Sequence, residues 1–218
     1  MRDEARTWAG STLATRKAER KAALIRAALD IIGEHGTAAV TTKAVCNRAG
    51  LIERYLYESF PSRNDLLLAV FDHALQHATT AITTAIESHS DPAQLARSLV
   101  TTALDVAGEE PGMVRILFVD GPSDPILRAE AVALQRSLEG LVEQVQTTST
   151  LPLSGKPADP ALIATGAVGA AVAILAAWTT GRLEAPENHI VDLAVESLQA
   201  LTRHPRRAPA VRHSERRK

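Results

Sequence analysis

Residues 41–60 read TTKAVCNRAGLIERYLYESF. Thr41 offers a hydroxyl that can cap a helix N-terminus, Ala44, Val45 and Ala49 follow at helical spacing, and Gly50 ends the run. A second short helix, 53–60, presents Leu56 and Phe60 four residues apart to a core. Two short helices about a glycine that tolerates positive φ, with Leu51 just after it to lock them together, predict a helix-turn-helix. The outer face of the second helix carries Arg54, Tyr55, Tyr57, Glu58 and Ser59, polar groups of the kind that reach base edges and phosphates in a major groove.

The flanks extend this unit. Leu24, Ala28, Ile31 and Ile32 recur at helical spacing over 17–35, and Gly36 can act as a left-handed cap. The front of that helix, with Arg16, Lys17, Arg20 and Lys21, reads either as a set of phosphate contacts or as a solvated basic face. Residues 1–15 lack periodicity and read as a flexible N-terminal arm. The net charge of −1 conceals three zones: 1–63 hold 11 basic and 7 acidic residues, 64–202 hold 6 and 17, and 203–218 hold 7 and 1. A nucleic acid would therefore meet the N-terminal part. One cysteine, Cys46, excludes an intramolecular disulfide framework and a cysteine-based zinc site. It reads as a small buried hydrophobe rather than a redox sensor. With no apolar run before Leu24, no secretory signal is visible, and a cytoplasmic location is expected.

Over 16–72, and above all in AGLIERYLYESFPSRNDLLLAVFD, the chain resembles the DNA-binding domain of the TetR family of bacterial transcriptional regulators. Gly36, Thr41 and Thr42, Ala49 and Gly50, Leu56, Tyr57 and Phe60, and Pro61, Ser62 and Arg63 leading to Leu66 and Leu67 carry the likeness together. The resemblance implies DNA phosphate contacts from Thr42, Lys43, Tyr57 and Arg63, and DNA base contacts from Arg54 and Tyr55. Two positions depart from the family pattern. Ile52 stands where Ser or Thr usually opens the reading helix and cannot cap it through a side chain. Glu53 stands where Lys is common, and it either accepts from a cytosine or favours the helix N-terminus, the second being preferred.

Ser62 and Asp65 have the spacing of a capping box that opens a long helix to about residue 88, with Leu67, Val70, Phe71, Ala74, Ala78, Ile82 and Ala85 on one stripe. His73 and His77 lie beside that stripe at a spacing that can hold a metal ion. No third ligand accompanies them, so they read as structural or pocket-lining, with no metal and no cofactor. Asp91 and Pro92 open a further helix that closes near Gly108. Pro111 opens a shorter one stopped by Asp120, Gly121 and Pro122, and Leu127, Ala131, Leu134, Leu138, Leu141 and Val145 mark another. Residues 151–160 read as a linker loop. The uncharged run 161–181 is long enough to span a membrane, yet its alanine-rich composition points instead to a helix buried on most sides. After Pro186 a last helix carries Ile190, Leu193, Ala194, Ser197, Leu198 and Leu201. Residues 204–218 read as a disordered basic tail, a solubilising end in preference to a non-specific DNA-binding arm.

Alanine and leucine dominate and aromatic residues make up 3% of the chain, so an all-α fold is expected. An N-terminal three-helix helix-turn-helix domain, 16–63, precedes a larger helical regulatory and dimerisation domain, 64–203. Phe71, Leu75, Met113, Leu117, Phe118, Leu134, Leu138 and Trp178 are the large side chains expected around a ligand pocket. In the resembling family the last two helices dimerise through a four-helix bundle. That implies an interface of Gly166, Ala170, Ala173, Ala177, Ile190, Leu193, Ala194 and Leu198. The expected function is a ligand-responsive transcriptional regulator, by resemblance a repressor. It would bind a near-palindromic double-stranded DNA operator as a homodimer and be released by a small apolar effector. The alternative is a DNA-binding protein without effector, constitutive or architectural. A helical enzyme built on His73 and His77 lacks any accompanying catalytic signature, so no catalytic residue is expected and no membrane partner either.

Overall fold

The computed structural model describes residues 13–148 and 160–202. Among these residues the chain forms nine α-helices and no strand. They are α1 (Leu13–His35), α2 (Thr42–Ala49), α3 (Glu53–Ser59), α4 (Arg63–Ser88), α5 (Pro92–Glu109), α6 (Pro111–Val114), α7 (Arg128–Thr148), α8 (Pro160–Thr179) and α9 (Glu187–Thr202). The first helix begins at Leu13, inside the stretch expected to be a flexible arm. The rest of that arm, most of the expected linker loop and the basic tail lie outside the described residues.

Local sequence explains where the helices start. Thr41 accepts from the Ala44 amide at 3.1 Å and opens α2. Ser62 accepts from the Asp65 amide at 3.3 Å while its hydroxyl donates to Asp65 Oδ2 at 2.6 Å, and α4 begins there. Asp91 accepts from the Gln94 amide at 3.0 Å ahead of Pro92, whose missing N–H costs nothing in the first turn of α5. The stretch after Pro111 departs from a plain helix. One α-turn gives way at Arg115–Val119 to a π-helical turn, in which the Asp120 amide donates to the Arg115 carbonyl at 2.7 Å.

The core does not divide at residue 63. Leu24, Ile32, Val45, Leu56 and Phe60 from the first three helices join Leu66, Leu67, Val70 and Phe71 of α4, and the same cluster continues through Met113, Ile116, Leu117 and Leu127 to Leu134. The N-terminal half of α4 thus belongs to the helix-turn-helix unit and also reaches into the larger domain. A second, smaller cluster joins Leu104 of α5 to Ile190, Val191 and Val195 of α9, with Ile174, Leu175 and Trp178 of α8 packed against it.

The uncharged helix α8 differs from expectation. It was expected to be buried on most sides, but Ala164, Ala167 and Val168 are its buried residues, while Leu162 is 72% exposed and Thr165, Gly166, Gly169 and Ala173 are exposed. Its length and mean hydropathy of 2.1 would suit a membrane span. It lies instead along α5, α7 and α9 of the helical domain, with one side left open.

Candidate nucleic-acid interface

The geometry of the turn follows from one glycine. Gly50 adopts φ 66°, ψ 30°, a left-handed conformation that costs a side-chain-bearing residue about 1–2 kcal/mol. Its amide donates to Asn47, and the Leu51 amide reaches back to the Cys46 carbonyl at 2.9 Å. The chain then re-enters a helix at Glu53, with Ile52 in extended conformation at the N-cap and no side-chain hydrogen bond there. Leu56 and Phe60 are buried, which fixes the rotation of α3 and leaves Glu53, Arg54, Tyr57 and Glu58 outward.

On that outer face Arg54 donates from Nε to Glu58 Oε1 at 2.8 Å, a pair four residues apart on one helix. Tyr57 is 54% exposed. Tyr55 is placed differently: it is half-buried, and the Arg20 guanidinium of α1 lies over its ring at 4.4 Å from the centroid. Lys21 lies over the Phe60 ring at 5.6 Å. Two basic residues of α1 are therefore held against aromatic rings of the helix-turn-helix, where a cation gains from the negative ring face. Lys43 is exposed and Thr42 half-buried at the start of α2.

Arg63 sits apart from the other expected phosphate contacts. Its Nε donates to the Val40 carbonyl at 2.6 Å and its Nη2 to the Thr37 carbonyl at 2.8 Å, so the guanidinium braces the 3-10 turn Thr37–Ala39 that links α1 to α2. A second brace was not legible in sequence. Arg48 of α2 donates from Nη1 and Nη2 to the two carboxylate oxygens of Glu34 in α1, at 2.9 and 2.7 Å. The Arg48 hydrogen bonds hold the Glu34 carboxyl below its ordinary pKa, and Glu34 in turn raises that of Arg48. The two lie 14 positions apart, and no periodicity couples them.

Cys46 is buried, as its reading as a small hydrophobe required. Burial, with the nearby Glu53 charge adding to it, pushes its thiol above the ordinary range and away from a reactive thiolate. His73 and His77 are both exposed, and no group of three potential metal ligands gathers among the described residues.

The larger domain sorts the remaining expectations. Phe71, Met113, Leu117 and Leu134 are buried in the main cluster, with Leu75, Phe118 and Leu138 packed against it, so these seven expected pocket residues are part of the same extended core as the helix-turn-helix. Trp178 does not join them and packs in the smaller cluster beside α9. A hollow of about 490 Å³ opens elsewhere, on the flank of the helix-turn-helix, lined by Ile31, His35, Ala39, Ala44, Asn47 and Arg48. Among the expected interface residues, Gly166 and Ala173 are exposed, Leu193 is 47% exposed, and Ala170 and Ala177 are half-buried. Ile190 and Ala194 are 2% and 4% exposed, and Ile190 packs with Leu104 of α5 and Ile174, Leu175 and Trp178 of α8 within the protomer. The side chain of Leu198 lies outside the described residues.

A small helical unit with an outward-facing reading helix, joined through α4 to a larger helical domain, defines a helix-turn-helix DNA-binding protein. Residues 24–70, which span the helix-turn-helix and the start of α4, match the profile of bacterial regulatory proteins of the tetR family. The nucleoid occlusion factor SlmA of Marinomonas sp. (strain MWYL1) is 24% identical over 135 residues, which cover 62% of this chain and 66%, just under two thirds, of that relative. The fold is similar to that of a TetR-like transcriptional regulator from Rhodococcus sp. RHA1, with a TM-score of 0.70 and 19% identity over 87% of this chain and 97% of that one. It is also similar to AibR solved in complex with isovaleryl coenzyme A and operator DNA, with a TM-score of 0.65 and 15% identity over 82% and 97% of the two chains.

Proposed function

We propose that the protein is a ligand-responsive transcriptional repressor of the cytoplasm that binds a near-palindromic operator as a homodimer and leaves it when a small apolar effector binds. The observation that carries this reading is the outer face of α3, where Arg54 and Tyr57 project from a helix whose opposite side is locked by Leu56 and Phe60. Lys43 at the start of α2 and the basic front of α1 supply charge for the phosphates on either side, and Thr42 adds a hydroxyl donor. Tyr55 presents an edge to the bases while Arg20 covers its face. One α3 reads only a few base pairs, so two heads about one helical turn apart, or a multiple of it, are needed for useful specificity.

An apolar effector suits the side chains of Phe71, Leu117, Phe118 and Leu138, which all belong to or pack against the main apolar core. AibR, whose structure holds an acyl coenzyme A and operator DNA together, supports an acyl-type ligand on this fold. Release requires that the effector bind one arrangement of the two heads better than the other, and coupling of about 1–3 kcal/mol is usual. Selection of bound duplexes from a random DNA pool, repeated with short- and long-chain acyl coenzyme A, tests the reading. A palindromic consensus lost on adding one of these ligands is the expected result. No enrichment over random DNA at physiological salt would refute DNA reading, and enrichment unchanged by both acyl coenzyme A ligands would refute release by an effector with an acyl chain.

A further inference from the structure

The reading helix carries more negative than positive charge, with Glu53 and Glu58 against Arg54. A carboxylate on a surface that meets phosphates lowers affinity for every sequence alike, and an exposed ion pair adds little to folding. Glu58 therefore needs a reason for standing beside Arg54. The geometry supplies one. The Arg54 side chain is 80% exposed, and its Nε donates to Glu58 Oε1 at 2.8 Å, a bond in which Nη1 and Nη2 take no part. A guanidinium held from the side at Nε keeps its outer two nitrogens as a fork, and that fork matches O6 and N7 of guanine in the major groove. The four-residue spacing lays the long side chain along the helix and restricts its sweep towards the phosphates.

We propose that Glu58 is a positioning residue that aims Arg54 at a guanine in each half-site, giving up affinity for all DNA in return for discrimination at that base pair. The inference rests on the reading of α3 as the DNA-contacting helix. Affinity then comes from the cations of α1 and α2, and α3 sorts sequences.

The test is selection from a random DNA pool with the full chain, its Glu58→Ala, Glu58→Gln and Arg54→Ala variants, followed by titration on the selected site and on random-sequence duplex. Wild type should select a guanine at a position where Arg54→Ala shows no preference. Glu58→Ala should lose about tenfold of the preference for that guanine while binding random-sequence DNA more tightly. Glu58→Gln keeps an oxygen acceptor for Nε, so it should keep most of the preference and show the same gain on random DNA. A purely structural role cannot produce that split, because a loosened α3 weakens both. Replacing the guanine by 7-deazaguanine, which lacks the N7 acceptor, should weaken wild type and leave Glu58→Ala little changed. A wild-type pool with no enriched site would overturn the DNA-reading assignment and this inference with it. An enriched site at which Glu58→Ala discriminates as well as wild type, or at which Arg54→Ala keeps the guanine, would overturn this inference alone.

Discussion

The backbone of Gly112 rests on the carbonyl of Leu29: a Cβ on Gly112 would stand 2.1 Å from that oxygen and 2.8 Å from its carbon. Leu29 belongs to α1 of the helix-turn-helix unit and Gly112 to the first turn of α6. Gly33 faces the same joint, where a Cβ would meet the Gly112 amide nitrogen at 3.1 Å and Pro111 Cγ at 3.2 Å. Arg115 donates from Nε to Asp120 Oδ2 at 3.3 Å next to this contact. With two backbones this close and no side chain between them, α6 has no soft layer over which to slide past α1.

Alanine at Gly112 should therefore lose about 1–3 kcal/mol of stability, the usual cost of overpacking, because the neighbour it strikes is backbone. Gly33→Ala should lose less, since its contacts are tight but not overlapping. Urea unfolding of both variants checks the order. A Gly112→Ala chain as stable as wild type would show that the two helices part readily.

Arg63 separates two roles that sequence alone runs together. As a brace, it satisfies the carbonyls of Thr37 and Val40, and charge-assisted hydrogen bonds of this kind are worth about 1.5–3 kcal/mol. Arg63→Ala should lower stability by about that much and weaken DNA binding through the disturbed start of α2. A variant that loses DNA affinity with an unchanged unfolding midpoint would restore Arg63 to a purely phosphate-facing role.

Ile52 is 61% exposed and sits at the N-cap of α3 with cap-compatible φ −83° and ψ 152°. Serine or aspartate there would find the right backbone conformation already in place and could accept from an unsatisfied amide of the first turn. Ile52→Ser should stabilise the chain by about 0.5–1 kcal/mol, read as a rise in the thermal midpoint. No gain would mean that the first turn of α3 is already satisfied by solvent.

The parts legible in sequence are those governed by neighbours along the chain. Thr41, Gly50, Ser62 with Asp65, and Asp91 with Pro92 each announce a boundary through chemistry acting over three or four residues, and the structure places the caps there. Leu56 and Phe60 likewise fix the rotation of α3 from their spacing. What the sequence concealed depends on residues distant in the chain. The Glu34–Arg48 clamp, the Arg20–Tyr55 stack and the contact of Gly112 with Leu29 pair positions 14 to 83 apart, and no periodicity marks them. The π-helical turn at Arg115–Val119 was hidden because its apolar pattern also fits an ordinary helix. The resemblance to the family implied Ile190 and Ala194 as interface residues together with Leu193, yet these two are buried within the protomer while Leu193 is exposed, a difference that spacing along the helix does not reveal.

Among the described side chains of α8 and α9, Leu162 and Leu193 are the exposed large apolar ones, at 72% and 47%. Leu162, Gly166, Gly169 and Ala173 follow one face of α8 at steps of four, three and four, and all are exposed. Small residues on such a face allow close backbone approach, and an apolar helix face of this length is what a partner helix would cover. If two copies meet there, a charge at its centre should separate them. Ala173→Glu or Leu162→Glu should give a monomer by light scattering at micromolar concentration, with unchanged helix content. Operator affinity should fall by more than about a hundredfold, because each molecule then brings one reading head and loses the effective concentration that the second supplies. Ile86→Glu, at a 41% exposed position on α4, serves as the control and should leave the dimer intact. A dimer that survives both α8 substitutions places the interface elsewhere, and a monomeric wild type removes the homodimer from the proposed function.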